Sequence, residues 1–232
     1  RIFMANAALG YRNLALRQEI VDTQKEIIHT LSEVVETRSS ETANHVLRVG
    51  LMAARLGELY GLPAAEVDIL RMITPMHDVG KVGIPDAILN KPGALDDDER
   101  RLINGHTVIV HSILSRSERR MLKAAAVVAL QHHERWDGGG YPNGLSGEDI
   151  HLHARICALA DVHDAISQDR VYRPAMPEER VLEVIAAERG RGFDPVLVDL
   201  FLASYPELRA IGEAHPDPMP GTATGASSRA DA

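Results

Sequence analysis

The sequence contains one cysteine, Cys157, few aromatic residues (4%), and no excess of positive charge. It also lacks any apolar run approaching the roughly 20 residues that span a bilayer, so no membrane crossing is expected within it. A lone cysteine excludes an intramolecular disulfide, and a reducing, cytoplasmic setting fits best. Scarce aromatics leave the core to Leu, Ile, Val, Ala and Met, which favours helices. With 25 Lys and Arg against 33 Asp and Glu, the formal charge is −8. That balance argues against DNA or RNA as partner, yet a small anionic ligand stays open because a site's field need not follow net charge. No secretory leader is visible, and a chain opening at Arg1 reads as a piece of a longer protein.

Strand-like alternation is missing too, so the expected fold class is all-α. Between Tyr11 and Thr37 there is neither Gly nor Pro. Leu14, Leu16, Ile20, Val21, Ile27, Ile28, Leu31, Val34 and Val35 recur there at helical spacing, with Arg17, Glu19, Asp22, Lys25, Glu26, Glu33 and Glu36 on the opposite positions. This predicts a long amphipathic N-terminal helix, which either packs on its own domain or pairs as a homodimer. Further helices are expected at about 40–60, 65–77, 96–115, 117–131, 153–168, 177–188 and 195–203. Asp96 and Glu99 have capping-box spacing. The glycine-rich stretches 80–93 and 137–147 read as loops. The segment after residue 212, rich in Pro, Gly, Ala, Ser and Thr, is expected to be disordered.

Histidine is what the sequence does have: nine of its 11 lie between His45 and His163. Glu41 and His45, four apart, project from one helix face. His77-Asp78 closes a helix and opens a glycine-rich loop, so both side chains can converge. His132 and His133 point about 100° apart, which suits a wide site such as two neighbouring cations. His106 reads either as a ligand or as a satisfied core histidine. Asp161, on an otherwise apolar face, needs a cation or an ionic partner. Imidazole and carboxylate without thiolate suit Fe, Mn or Zn. Eight such residues are too many for one ion and right for two or three. The residues alone therefore point to a multinuclear hydrolase.

In the order His77-Asp78-Val79-Gly80-Lys81, His106, His132-His133-Glu134-Arg135-Trp136-Asp137-Gly138-Gly139-Gly140-Tyr141-Pro142, Asp161 and Asp169-Arg170-Val171-Tyr172-Arg173, the sequence resembles the HD-GYP family of bacterial cyclic di-GMP phosphodiesterases. The resemblance covers roughly residues 17–205. It implies an HD-type helical bundle holding two or three divalent ions, commonly iron or manganese. It implies hydrolysis of cyclic di-GMP to pGpG, GMP or both, by attack of a metal-bridging hydroxide. On this likeness His45, His77, Asp78, His106, His132, His133 and Asp161 are metal ligands, Asp78 bridging, and Glu41 supports a third ion. Lys81 would stabilise charge at the scissile phosphate, and Tyr141, Arg170 and Arg173 would hold the dinucleotide.

Residues 1–16 resemble the linker from an upstream regulatory domain, residues 17–212 the phosphodiesterase domain of a signalling protein. The Gly-Tyr-Pro loop is a candidate contact for a diguanylate cyclase. Departures from the family pattern are Val110 and Ala43, where glycine is usual. His151, His153 and His163 are not expected to be ligands, Cys157 is expected in the core, and Trp136 is expected to pack the loop. Two other readings stand beside the main one: a non-hydrolytic cyclic di-GMP-binding or protein-interaction module, and an HD hydrolase of another cyclic dinucleotide.

Overall fold

A computed structural model describes residues 2–39, 42–169 and 174–217. Eleven α-helices are present among them: α1 (Ile2–Glu36), α2 (Ala43–Tyr60), α3 (Ala64–Ile73), α4 (Asp86–Leu89), α5 (Asp97–Asn104), α6 (His106–Leu114), α7 (Arg120–Gln131), α8 (Leu152–Ser167), α9 (Glu178–Ala187), α10 (Pro195–Ala203) and α11 (Tyr205–Ala214). The described residues form no sheet; one isolated pairing joins Arg189 and Phe193. None of these helices is long and apolar enough to cross a membrane.

Helix α2 is the central element. The Thr42 hydroxyl accepts from the His45 amide and so caps its start. Its buried positions Val46, Val49, Met52, Ala53 and Leu56 follow the 3.6-residue period. Around it pack α3, α8, α10 and α11. The main core joins Val49, Met52 and Leu56 to Leu70, Ile156, Leu159, Ile185, Leu197, Phe201 and Leu208. A smaller cluster holds Ile73, Ala125, Val128 and the free Cys157. Aliphatic side chains dominate both, as the shortage of aromatics requires.

The differences from the sequence reading have local causes. The helix expected over 96–115 keeps its Asp96–Glu99 capping box but is interrupted at Gly105, so His106 opens α6 instead of lying mid-helix. The loop after Asp78 contains a 3-10 turn, Val79–Gly83, and the short α4. Helix α11 was not expected; Pro206 lies in its first turn, where a missing N–H costs nothing. It carries helical structure past residue 212, and residues 215–217 are then bonded to α2. Residues 218–232 lie outside the described residues.

Helix α1 is as long as its composition suggests, but Leu14, Ile20, Ile27, Leu31 and Val34 of its apolar stripe are exposed. Its last turns enter the domain, where Ser32, Val35 and Glu36 are buried. Glu36, assigned by periodicity to the polar face, is 2% exposed.

Candidate metal centre

Two groups of potential ligands meet in the interior. Asp78, His106, His132 and His133 form one; His45, His77 and Asp161 form the other. Asp78 stands between them. Its Oδ1 lies 3.1 Å from His106 Nε2 and 3.5 Å from His132 Nε2, while Oδ2 lies 3.4 Å from His77 Nε2. In the second group Asp161 Oδ1 is 3.6 Å from His45 Nε2 and 3.8 Å from His77 Nε2. Donors each about 2.1 Å from one ion stand roughly 3.0–3.4 Å apart, close to these separations.

The histidines are oriented by their second nitrogens. The Nδ1 atoms of His77, His106 and His132 contact the carbonyls of Thr74 (2.8 Å), Ile103 (2.7 Å) and Ala129 (3.0 Å). An Nδ1–H donated to a carbonyl leaves the Nε2 lone pair aimed at Asp78. Lone pair then faces lone pair, and His77 Nε2 and Asp78 Oδ1 are buried without a hydrogen-bond partner. Burial lowers the pKa of His132 and, further, of His133, so extra protons do not relieve the conflict there. At His77 burial is outweighed by Asp78, Asp161 and Glu36, and the pKa is pushed up to about 10. A shortage of positive charge among buried N and O donors is what divalent cations would fill. The residues present fit the expected ions by donor chemistry.

His45 is held differently. Its Nδ1 lies 2.8 Å from Asp164 Oδ2, and Arg48 grips the same carboxylate at 2.6 and 2.9 Å. Arg48, 1% exposed, also donates to the His215 carbonyl (2.9 Å) and to Asp217 (2.8 and 3.1 Å). Burial works against charge on His45, but Asp164 and then Asp161 raise its pKa.

Beside the first group lies a cavity of about 390 Å³, walled by His132, His133, Tyr141, Val184 and Phe193 among others. Its size falls in the range of small-molecule sites. The Tyr141 ring stacks on His133 with centroids 4.7 Å apart. Burial, then the Asp78 and Asp161 charges, raise the Tyr141 pKa, so its hydroxyl keeps its proton. The loop bearing Tyr141 folds against itself: a Cβ at Gly140 would lie 2.5 Å from the His133 carbonyl oxygen. Buried Glu134 accepts from the Asn143 (2.7 Å) and Leu145 (3.0 Å) amides and closes that loop. Trp136 is half-buried, with the Arg155 guanidinium 5.6 Å over its ring. Lys81 Nζ lies 2.7 Å from Asp78 Oδ2.

Thus His45, His77, Asp78, Lys81, His106, His132, His133, Tyr141 and Asp161 come together. Glu41, Arg170 and Arg173 lie outside the described residues. His151, His153 and His163 belong to neither group; His163 is buried against Met52, Phe201 and Tyr205. Val110 is buried and packs on the Lys81 loop: a Cβ at Gly80 would lie 2.7 Å from its Cγ2 and 2.0 Å from the His106 carbonyl oxygen. It does not line the cavity beside Tyr141. Glu36, Arg48, Glu134 and Asp164 were missed by sequence reasoning. A usable signal existed for Arg48, a charge on the apolar face of α2 between Val46 and Met52.

Comparison with known proteins supplies the family. Residues 26–197 match the HD domain. The 3′3′-cGAMP-specific phosphodiesterase 2 of Vibrio cholerae is 44% identical over 216 residues, 93% of this chain and 41% of that protein. The cyclic di-GMP phosphodiesterase response regulator RpfG of Xanthomonas campestris is 41% identical over 88% of this chain and 54% of its own. A cyclic di-GMP phosphodiesterase of Thermotoga maritima is 40% identical over 75% of this chain and 47% of its own. The chain therefore spans about half the length of the curated relatives it matches. The crystal structure of a cyclic GMP-AMP-specific phosphodiesterase of V. cholerae matches with a TM-score of 0.57 at 20% identity, covering 83% of this chain and 54% of that one, a likeness of fold. The chain belongs to the HD domain family, in its HD-GYP branch.

Proposed function

We propose that this domain is a metal-dependent phosphodiesterase that opens cyclic di-GMP to pGpG, GMP or both. One observation carries the reading: Asp78 offers one carboxylate oxygen to each of two adjacent donor groups. Such a bridge suits two neighbouring cations, and cations bound there would acidify a water and draw charge from phosphoryl oxygens. Iron or manganese agrees with the N and O donors. In this reading His45, His77 and Asp161 would hold one ion and His106, His132 and His133 the other, with Asp78 shared between them, and Glu41 would serve a third.

The side chains around the ions do the positioning. The Lys81 ammonium, beside Asp78, stands ready to meet negative charge on a non-bridging phosphoryl oxygen. Tyr141 offers a neutral hydroxyl and a ring edge to the nucleotide. Arg170 and Arg173 would grip phosphate bidentately or stack on guanine. Residues 1–16 would link this domain to a regulatory one.

A second substrate, 3′3′-cGAMP, is favoured by the 44% identity to an enzyme named for it. The test is a competition. Protein loaded with Fe(II) or Mn(II) without oxygen receives equal amounts of cyclic di-GMP and 3′3′-cGAMP, and the products are resolved by chromatography. Faster appearance of pGpG, abolished by chelator, is expected. Preferential loss of 3′3′-cGAMP would reassign the substrate. Binding of either dinucleotide without turnover by the fully loaded protein would make the domain a receptor.

A further inference from the structure

A carboxylate is costly to bury unless it is paired, and Glu36, the last residue of α1, is 2% exposed. Its Oε2 lies 3.0 Å from Lys81 Nζ and accepts from the Ser39 hydroxyl at 2.9 Å. Lys81 Nζ is also 2.7 Å from Asp78 Oδ2 and 3.5 Å from Ser39 Oγ. An ammonium has three N–H donors, and three oxygens surround this one. Two residues on, Arg38 donates to the carbonyls of Lys81 (3.2 Å), Val82 (3.0 Å) and Ile84 (3.0 Å), and to the Asp86 carboxylate at 2.7 Å. The other side of the loop is fixed by the close approach of Gly80 to α6. The end of α1 therefore holds the Lys81 loop by its backbone and its side chain together.

We propose that Glu36 is the positioning residue for Lys81, and that through Glu36 and Arg38 the end of α1 sets where Nζ stands beside Asp78. An isolated ion pair would need one carboxylate, and Lys81 already has Asp78. Glu36 supplies a second from a different element, and that element touches the domain mainly through its last turns. A shift of α1 along its axis is felt at Lys81, one contact from the bridging carboxylate. The catalytic arm of this inference rests on the phosphodiesterase reading; the positioning arm does not.

The test uses Glu36→Ala, Glu36→Gln, Lys81→Ala and the Glu36→Ala/Lys81→Ala double variant, all metal-loaded. Reactivity of the Lys81 amine toward an acylating reagent is measured by peptide mass spectrometry, with Lys123 as internal reference. Glu36 encloses and tethers the Lys81 amine, so its loss frees that amine, and labelling of Lys81 is expected to rise severalfold in Glu36→Ala and less in Glu36→Gln. Turnover of cyclic di-GMP in Glu36→Ala is expected to fall about 10- to 100-fold in kcat, with KM and metal content at the parent value. In the Lys81→Ala background, loss of Glu36 should cost nothing more. Unchanged Lys81 labelling, or additive losses in the double variant, would overturn the proposal. Should Glu36→Ala not fold, Glu36→Gln carries both readouts. A parent protein that hydrolyses no cyclic dinucleotide would refute the phosphodiesterase reading, while the labelling result would still decide the positioning.

Discussion

The histidines of the centre are aimed in two different ways. His106 and His132, with His77 across from them, are aimed by carbonyls three residues earlier in their own chain. His45 is aimed by Asp164, which is gripped by Arg48, itself bonded to residues 215 and 217. A ligand held by its own turn is correct as soon as that turn forms. A ligand held by a distant side chain is correct only when the whole bundle has closed, and point substitution can remove its support.

The sharpest way to break the comparison is to remove what both groups share. Asp78→Ala should empty both, lowering metal content to background and turnover by on the order of 10³-fold or more; elemental analysis beside the product assay checks it. Retention of either ion would show that the groups do not depend on a common carboxylate.

Removing the support of one group should affect that group alone. Asp164→Ala leaves Arg48 buried without its main partner, so a loss of about 3–5 kcal/mol is expected in denaturant unfolding. One ion should be lost, while the Asp78–His106–His132–His133 group stays loaded. Replacing Arg48 and Asp164 together by apolar residues should recover much of that stability without restoring the missing ion. Stability and ligation would thereby be separated in the tertiary-held half.

Acid titration probes the same half. His163 precedes Asp164 in α8, and burial lowers its pKa to about 4 from an ordinary 6.5. The unfolded chain takes up a proton below pH 6.5 that the folded one refuses. The contribution of neutral His163 is therefore present above pH 6.5 and fades as pH falls toward 4, by roughly 3 kcal/mol. His163→Leu should flatten that limb of the stability curve; parallel curves for variant and parent would refute it. The smallest effect belongs to the carbonyl-held half. Val110→Ala should cost about 1–2 kcal/mol for two buried methyl groups and leave metal content unchanged in both groups.

The same division explains what could be read from the sequence. His77-Asp78, His106 and His132-His133 lie in short motifs whose neighbours also hold them, so spacing and residue type sufficed. Asp164 lies only three residues beyond Asp161, but its meaning depends on Arg48, 116 residues away, and no local pattern carries that. Helix α1 shows the limit of periodicity. Its stripe was legible, but a stripe does not say what covers it, and Leu14, Ile20 and Leu31 are exposed. Glu36 escaped because the buried side of α1 turns, in its last residues, toward a lysine brought by another segment. Helix α11 escaped because a proline near a helix start looks, in sequence alone, like a break.

The reach of Arg48 to the His215 carbonyl and Asp217 has a consequence for synthesis. A polypeptide leaves the ribosome N-terminus first. The last ligand of the Asp78 group emerges with His133, whereas the brace behind His45 is finished only once residue 217 is free. The residues of the two halves are therefore supplied in order. A nascent chain arrested between those points would hold every residue of the first group's turns but lack the clasp behind His45.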